Sequence, residues 1–196
     1  MLFDVTRSEH AGFFGADRLA TLPATAFPPT AADTGGARLL QTVGVPTGTF
    51  RLREPDEDSG RLALVQDVVH APGETGEWPV IGWLLNAHLA LDPDSGKVHA
   101  FDADEETARE LHTDASSLIQ VTLRFQRLLE EFAFSGDEEA EFERLDREVT
   151  RISQETSGVD PLPFQDDETA WSVVAEEIAA GRRFKGDSPG ARTLYG

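Results

Sequence analysis

Three apolar stripes with helical spacing lie in the second half of the chain. The first occupies i, i+3, i+7, i+10, i+11 and i+14, and consists of Leu118, Val121, Phe125, Leu128, Leu129 and Phe132. The second follows a break at residues 135–136 and consists of Phe142, Leu145, Val149 and Ile152. The third lies between two prolines and Gly181 and consists of Trp171, Val174, Ala175 and Ile178. This pattern predicts three helices.

The middle third of the chain alternates between short apolar runs and turn signals, which predicts a meander of strands. The candidate strands are residues 49–52, 62–69, 78–85, 87–91 and 97–101. Residues 55–60, 72–76 and 92–96 combine Pro, Gly and acidic or hydroxyl residues, as tight turns do. Strands followed by helices indicate a single α+β domain, with a mainly antiparallel sheet covered by C-terminal helices.

The turn at 92–96 predicts an antiparallel hairpin whose register follows from its apolar residues. Leu91 must lie opposite Val98 if Leu89, Leu91, Val98 and Ala100 share the core face. His88 and His99 then fall together on the other face, as ordinary surface residues. A metal ion bound between them is the alternative, but no third ligand is implied by the spacing.

The ends of the chain are predicted to be less regular. Glycines and prolines punctuate residues 1–37, which we expect to form an irregular arm. The arm is docked on the core, because a free linker would not carry Phe13, Phe14, Leu19, Leu22 and Phe27. Residues 37–43 can form a short helix, which Gly44 ends and Pro46 prevents from continuing. The predicted organisation is thus an arm (1–37), an α+β domain (38–181) and a flexible tail (182–196).

The net charge of the chain limits the kinds of molecule that the protein can bind. The chain has 36 Asp and Glu against 17 Lys and Arg, which gives a formal net charge of −19. Nucleic acids and anionic membranes would be repelled, whereas a basic protein would be attracted. The alternative is that the acidity only keeps the protein soluble.

Composition and motifs favour binding over catalysis. The chain has no Cys, which excludes disulfides and thiolate chemistry and fits a cytoplasmic location. No secretion signal or transmembrane run is evident. Phosphate-binding loops, zinc-hydrolase and deaminase motifs and the serine-hydrolase elbow are absent. The acidic turns do not meet the calcium-loop pattern. We therefore expect no enzyme activity, no cofactor and no metal.

Several short segments resemble one family in their shared order. Residues 39–46 (LLQTVGVP) resemble the FL-x-x-VGLP segment of the SUKH superfamily of bacterial immunity proteins, in its fourth immunity subgroup. Residues 80–82 (VIG), 89–92 (LALD), 96–98 (GKV) and 101–102 (FD) resemble the strand motifs that follow there. Residues 171–178 (WSVVAEEI) resemble its FW-x-x-V-x-EE helix. Val45, Ser95 and Ala170 depart from the residues usual at those positions.

The resemblance implies a non-enzymatic protein of the bacterial cytoplasm that binds and inhibits a cognate toxin, often a nuclease or nucleic-acid deaminase. Such toxins need a basic cleft, which an acidic partner can occupy. A scaffold or regulatory binding module without a toxin partner is the alternative. The candidate contact residues are the acidic side chains near the last predicted strand and in the first turn, namely Asp102, Asp104, Glu105, Glu106, Glu110, Glu57 and Asp58.

Overall fold

A computed structural model describes residues 1–68, 75, 77–102, 107–134 and 137–184. The chain divides into two compact units, Met1–Thr122 and Leu123–Gly196, and the division falls inside a long helix. Sheets dominate the first unit and helices the second. The predicted α+β class, with an antiparallel sheet followed by C-terminal helices, is confirmed. The predicted boundaries after residues 37 and 181 stay a prediction, and residues 185–196 of the predicted tail lie outside the described residues.

The N-terminal segment is docked as predicted but more regular than predicted. It contains helix α1 (Arg7–Phe14) and strand β1 (Leu19–Ala20), which pairs antiparallel with β2 (Val45–Pro46). The hydroxyl of Thr6 caps α1 by accepting from the Glu9 N–H, a local signal that the scattered glycines obscured. Phe13 is partly exposed, and the other four apolar residues named for this segment are buried.

The predicted short helix is present as α2 (Gly35–Thr42), with Thr34 as its N-cap. Gly44 follows it with φ +78°, a conformation that favours glycine. A Cβ at this position would lie 2.5 Å from the carbonyl oxygen of Ala20. Gly44 therefore both ends the helix and allows strands β1 and β2 to approach each other.

The main sheet has five antiparallel strands in sequence order. They are β3 (Arg51–Leu52), β4 (Val80–Leu84), β5 (Ala87–Leu91), β6 (Val98–Asp102) and β7 (Thr107–His112). Leu91 lies opposite Val98, so the predicted hairpin register is confirmed. On this apolar face Leu89, Leu91 and Val98 are fully buried. Helix α2 packs here, since a Cβ on Gly36 would lie 2.9 Å from Leu91 Cδ1.

The strand predicted at residues 62–69 is wrong. Leu64 forms only an isolated bridge with Pro79, and a short helix α3 (Val65–Val68) begins next. The Asp67 carboxylate accepts from the Leu64 N–H at 3.1 Å, which is half of a capping box and stabilises a helix start. Strand β7 was not predicted either, because Ala108, Arg109 and Glu110 show little apolar alternation.

The three predicted helices are confirmed as α4 (Ala115–Glu131), α5 (Glu138–Ser157) and α6 (Ala170–Ala179). Asp114, Asp137 and Thr169 cap them by accepting backbone N–H groups three residues ahead. In the second unit Trp171 is fully buried, and its ring stacks on Phe125 with centroids 5.6 Å apart and planes 14° apart. Phe164 meets Phe125 edge-on at 6.2 Å, which completes the Trp171 cluster.

Candidate partner-binding surface

The acidic residues predicted around the last strand are only partly within the described residues. Asp102 ends β6, whereas Asp104, Glu105 and Glu106 lie outside the described residues. Glu110 is exposed on β7, the edge strand, and its Oε1 accepts from Lys97 Nζ at 2.6 Å. An exposed pair of this kind adds little to stability, so it leaves Glu110 able to exchange partners.

Glu57 and Asp58 are exposed at the tip of the turn that follows β3. Asp56 organises this turn, because its Oδ1 accepts from the N–H groups of Asp58 at 3.1 Å and Ser59 at 2.9 Å. The hydrogen bond from the Ser59 N–H, above all, lowers the pKa of the Asp56 carboxyl. The turn therefore carries three acidic side chains, and the hydrogen bonds to Asp56 define its backbone.

Among the described acidic residues, Glu57 and Asp58 lie away from Glu110. Glu57 and Asp58 follow β3, and Glu110 lies on β7, at the opposite edge of the sheet. Four strand spacings separate these edges, or about 19 Å. A partner contacting both groups would have to span the sheet.

Between these edges lies a row of side chains that the pattern analysis did not single out. Arg51 on β3 is opposite Trp83 on β4, which is opposite His88 on β5. The guanidinium carbon of Arg53 lies 5.2 Å from the centroid of the Trp83 ring, within cation–π range. The His88 ring centroid is 5.9 Å from that of Trp83. We call Arg51, Arg53, Trp83 and His88 the arginine patch.

A second row lies beside it on the same face of the sheet. The Trp78 ring covers His99, with centroids 4.5 Å apart, and meets Phe101 at 6.1 Å. Phe101 also belongs to a small buried core with Val65, Val80 and Ala90. Val68 and Trp78 pack against this core. Helix α3 and Trp78 thus cover the part of the sheet that the strand pattern predicted to be open. We call Trp78, His99 and Phe101 the Trp78 cluster.

The two histidines share one face, as predicted, but they are not ordinary surface residues. Nδ1 of His88 and Nε2 of His99 are buried, and neither has a hydrogen-bond partner among the described residues. Burial lowers the pKa of His88, and the positive charge of Arg53 lowers it further. Burial also lowers the pKa of His99, although Glu110 and Asp92 oppose the shift. Both imidazoles are therefore neutral at pH 7.

Only the tertiary structure reveals these two rows of side chains. A strand of alternating residues such as Arg51-Leu52-Arg53 is compatible with any solvated edge, and only the cross-strand register places Trp83 between the arginines and His88. Across the described ranges, no three His, Asp or Glu side chains are arranged to hold a metal ion. None of the described helices is long and apolar enough to cross a bilayer.

Comparison with known proteins identifies one family. The family model described as SUKH-4 immunity protein matches residues 5–177. The comparisons with curated proteins and with solved structures gave no match. The matched range contains the sheet, α4 and α5, and most of α6. Since the match covers most of the chain, this protein belongs to the SUKH-4 family of immunity proteins.

Proposed function

We propose that this protein is an antitoxin that binds a toxin domain with a basic surface, a nuclease or a nucleic-acid deaminase, and blocks its nucleic-acid cleft. Membership in an immunity family supports a toxin as the partner. The observation that carries the choice of toxin class is the formal charge of −19. A protein that holds phosphates must be basic, and a strongly acidic inhibitor competes with nucleic acid for that surface.

Exposed carboxylates at both edges of the main sheet support steering of the partner. Glu57 and Asp58 lie beyond one edge strand, and Glu110 lies on the other. Fields from such groups raise the association rate more than they lower the dissociation rate. The acidic residues therefore act chiefly during approach, and the final affinity depends on contacts at the centre of the interface.

The first experiment searches the genes beside its own for one that encodes a toxin domain, and pairs the protein with that domain. Expression of the toxin domain alone should stop growth of a host cell, and co-expression of this protein should restore it. The purified proteins should form a complex, and the toxin's cleavage or deamination of nucleic acid should cease at a one-to-one ratio. Normal toxin activity at a large excess of this protein would contradict the proposal.

A second experiment tests the steering. The association rate should fall sharply between 0.1 M and 1 M salt, because the Debye length shrinks from about 10 Å to about 3 Å. The dissociation rate should change much less. Changing Asp102, Asp104, Glu105 and Glu106 to Asn or Gln should slow association at low salt and leave the melting temperature nearly unchanged.

A matched control removes the same charge elsewhere. Glu139, Asp146, Asp167 and Glu176 are exposed and lie in the second unit, and they can be changed to Gln or Asn together. If both fourfold variants slow association equally, only the overall charge matters. If neither variant and no salt concentration affects association, the acidity is a solubility feature and the steering hypothesis fails.

A further inference from the structure

The arginine patch differs from the arginines of α4 and α5 in its partners. Arg127, Arg144 and Arg151 each pair with carboxylates of their own helices. In contrast, neither Arg51 nor Arg53 forms an ion pair with another described residue, and the guanidinium of Arg53 lies over the Trp83 ring instead. The full chain has 36 Asp and Glu against 17 Lys and Arg. An arginine that has no ion pair among the described residues is available to an outside anion.

We propose that the arginine patch is the central contact with the toxin and takes a carboxylate side chain of the toxin over the ring of Trp83. This inference rests on the proposed function and names the part of the surface that fixes the toxin's orientation. Tryptophan and arginine are the residues most enriched where interfaces concentrate their binding energy. Here the two types are in direct contact, with Arg53 5.2 Å above the ring of Trp83.

The chemistry of the patch suits a carboxylate. A guanidinium presents a planar fork of N–H donors that matches the two oxygens of Asp or Glu. The ring of Trp83 lies beneath the guanidinium of Arg53 and limits its side-chain freedom, so less entropy is lost on binding. His88 is next to the ring, and as a neutral imidazole it can donate a further hydrogen bond without repelling Arg53.

The local backbone also supports a contact role. Leu85 and Asn86 form the turn that joins β4 to β5, next to Trp83 and His88, and Leu85 has φ +55°. This left-handed conformation is unfavourable for leucine, and such strain collects where a surface must keep a given shape. A glycine would be less strained in this turn.

Charge complementarity selects a protein partner over a nucleic acid. The patch is a small basic spot beside the acidic turn that carries Glu57 and Asp58. A nucleic acid would meet repulsion over most of its length at a net charge of −19. A largely basic toxin surface with one protruding carboxylate would be complementary to the acidic surroundings and to the patch together.

The test uses the toxin domain encoded beside the gene and compares Arg53→Ala with Arg38→Ala. Arg38 is an exposed arginine of α2 that pairs with Asp33, so the control removes the same charge at another place. Arg53→Ala should weaken the complex roughly 30-fold or more, through faster dissociation. Arg38→Ala should leave the affinity unchanged or improve association slightly, because the chain becomes more acidic.

Two further variants separate recognition from charge and from folding. Arg53→Lys keeps the charge but loses the planar fork, and should recover only part of the affinity. Trp83→Phe keeps an aromatic ring in the sheet, and should weaken binding several-fold with a nearly unchanged melting temperature. Equal affinity of the wild type, Arg53→Ala and Arg53→Lys would overturn the inference and leave the proposed function intact.

A double-mutant cycle identifies the carboxylate. Each surface Asp or Glu of the toxin is changed to Asn or Gln and combined with Arg53→Ala, and one of them should show a coupling of tenfold or more. Absence of coupling at every acid would overturn the inference. Binding of a 12-nucleotide single-stranded DNA at micromolar concentration in 0.15 M salt, lost in Arg53→Ala, would also overturn it. If the wild type binds no adjacent toxin, the proposed function fails as well.

Discussion

The two tryptophan clusters of this protein have opposite surroundings. In the second unit Trp171 is fully buried, and the rings of Phe125 and Phe164 complete its cluster. In the first unit Trp78 and Trp83 are only partly buried, and their ring partners include the polar side chains of His99, His88 and Arg53. The first arrangement serves stability, and the second keeps polar groups close to the surface, where a partner can reach them.

This difference shows that a tryptophan's role depends on its neighbours across the structure more than on its local pattern. Trp171 heads a helical stripe whose other members, Val174, Ala175 and Ile178, are buried as well. Trp83 lies in a strand as apolar as any core strand, yet the row on its face runs through Arg51 and His88. The variants Trp171→Ala and Trp78→Ala compare the two clusters directly.

The largest effect is expected for Trp171→Ala. Removal of a fully buried ring that stacks on Phe125 should lower the free energy of unfolding by about 3–5 kcal/mol. Urea denaturation followed by circular dichroism measures the change. A melting temperature close to that of the wild type would show that the ring does not support the core.

Trp78→Ala should cost less, about 1–3 kcal/mol, since the ring is partly exposed but covers His99 and packs against the small buried core. The same denaturation experiment compares it with Trp171→Ala. A loss as large as that for Trp171 would place both clusters in the same class and remove the distinction between them.

The two histidines make the sheet face that carries the arginine patch and the Trp78 cluster sensitive to acid. Burial lowers the pKa of His88 and His99, so the folded state resists a proton that the unfolded chain accepts near pH 6.5. The free energy of unfolding should therefore keep its full value above that pH and decrease as the pH drops below it. Replacing both by Asn should cost about 1 kcal/mol at pH 7.5 through lost ring contacts.

The same double variant should lose less stability than the wild type between pH 7.5 and 5.5. A residual slope is expected because burial also lowers the pKa of His10. The midpoints of urea denaturation at pH 7.5 and pH 5.5 measure the loss of stability in each protein. Identical slopes for the variant and the wild type would mean that neither imidazole is protected in the folded state.

The smallest effect, and the only gain, is expected for Leu85→Gly. Relief of the left-handed conformation should outweigh the greater flexibility of glycine and raise the free energy of unfolding by about 0.5 kcal/mol. Asn86→Gly is the matched control, because Asn86 has no positive φ and should show no gain. A loss of stability in Leu85→Gly would indicate that the leucine side chain supports the turn.

Local signals in the sequence determined the helices and one hairpin. The stripes that predict α4, α5 and α6 repeat with the helical period over many residues, and capping residues mark each start. The register of β5 and β6 followed from two apolar faces and a turn of known length. The family resemblance followed from the order of short motifs and is confirmed.

Only the tertiary structure decided what lies on the second face of the sheet. A period of two assigns residues to faces but does not say what covers them, so His88 and His99 were expected at the surface. Helix α3 replaces the strand predicted at residues 62–69, and with Trp78 it covers part of that face. The arginine patch joins β3 to β4, and its members Arg53 and Trp83 are 30 residues apart in the chain. No local pattern could bring its members together, because cross-strand neighbours depend on the register of the whole sheet.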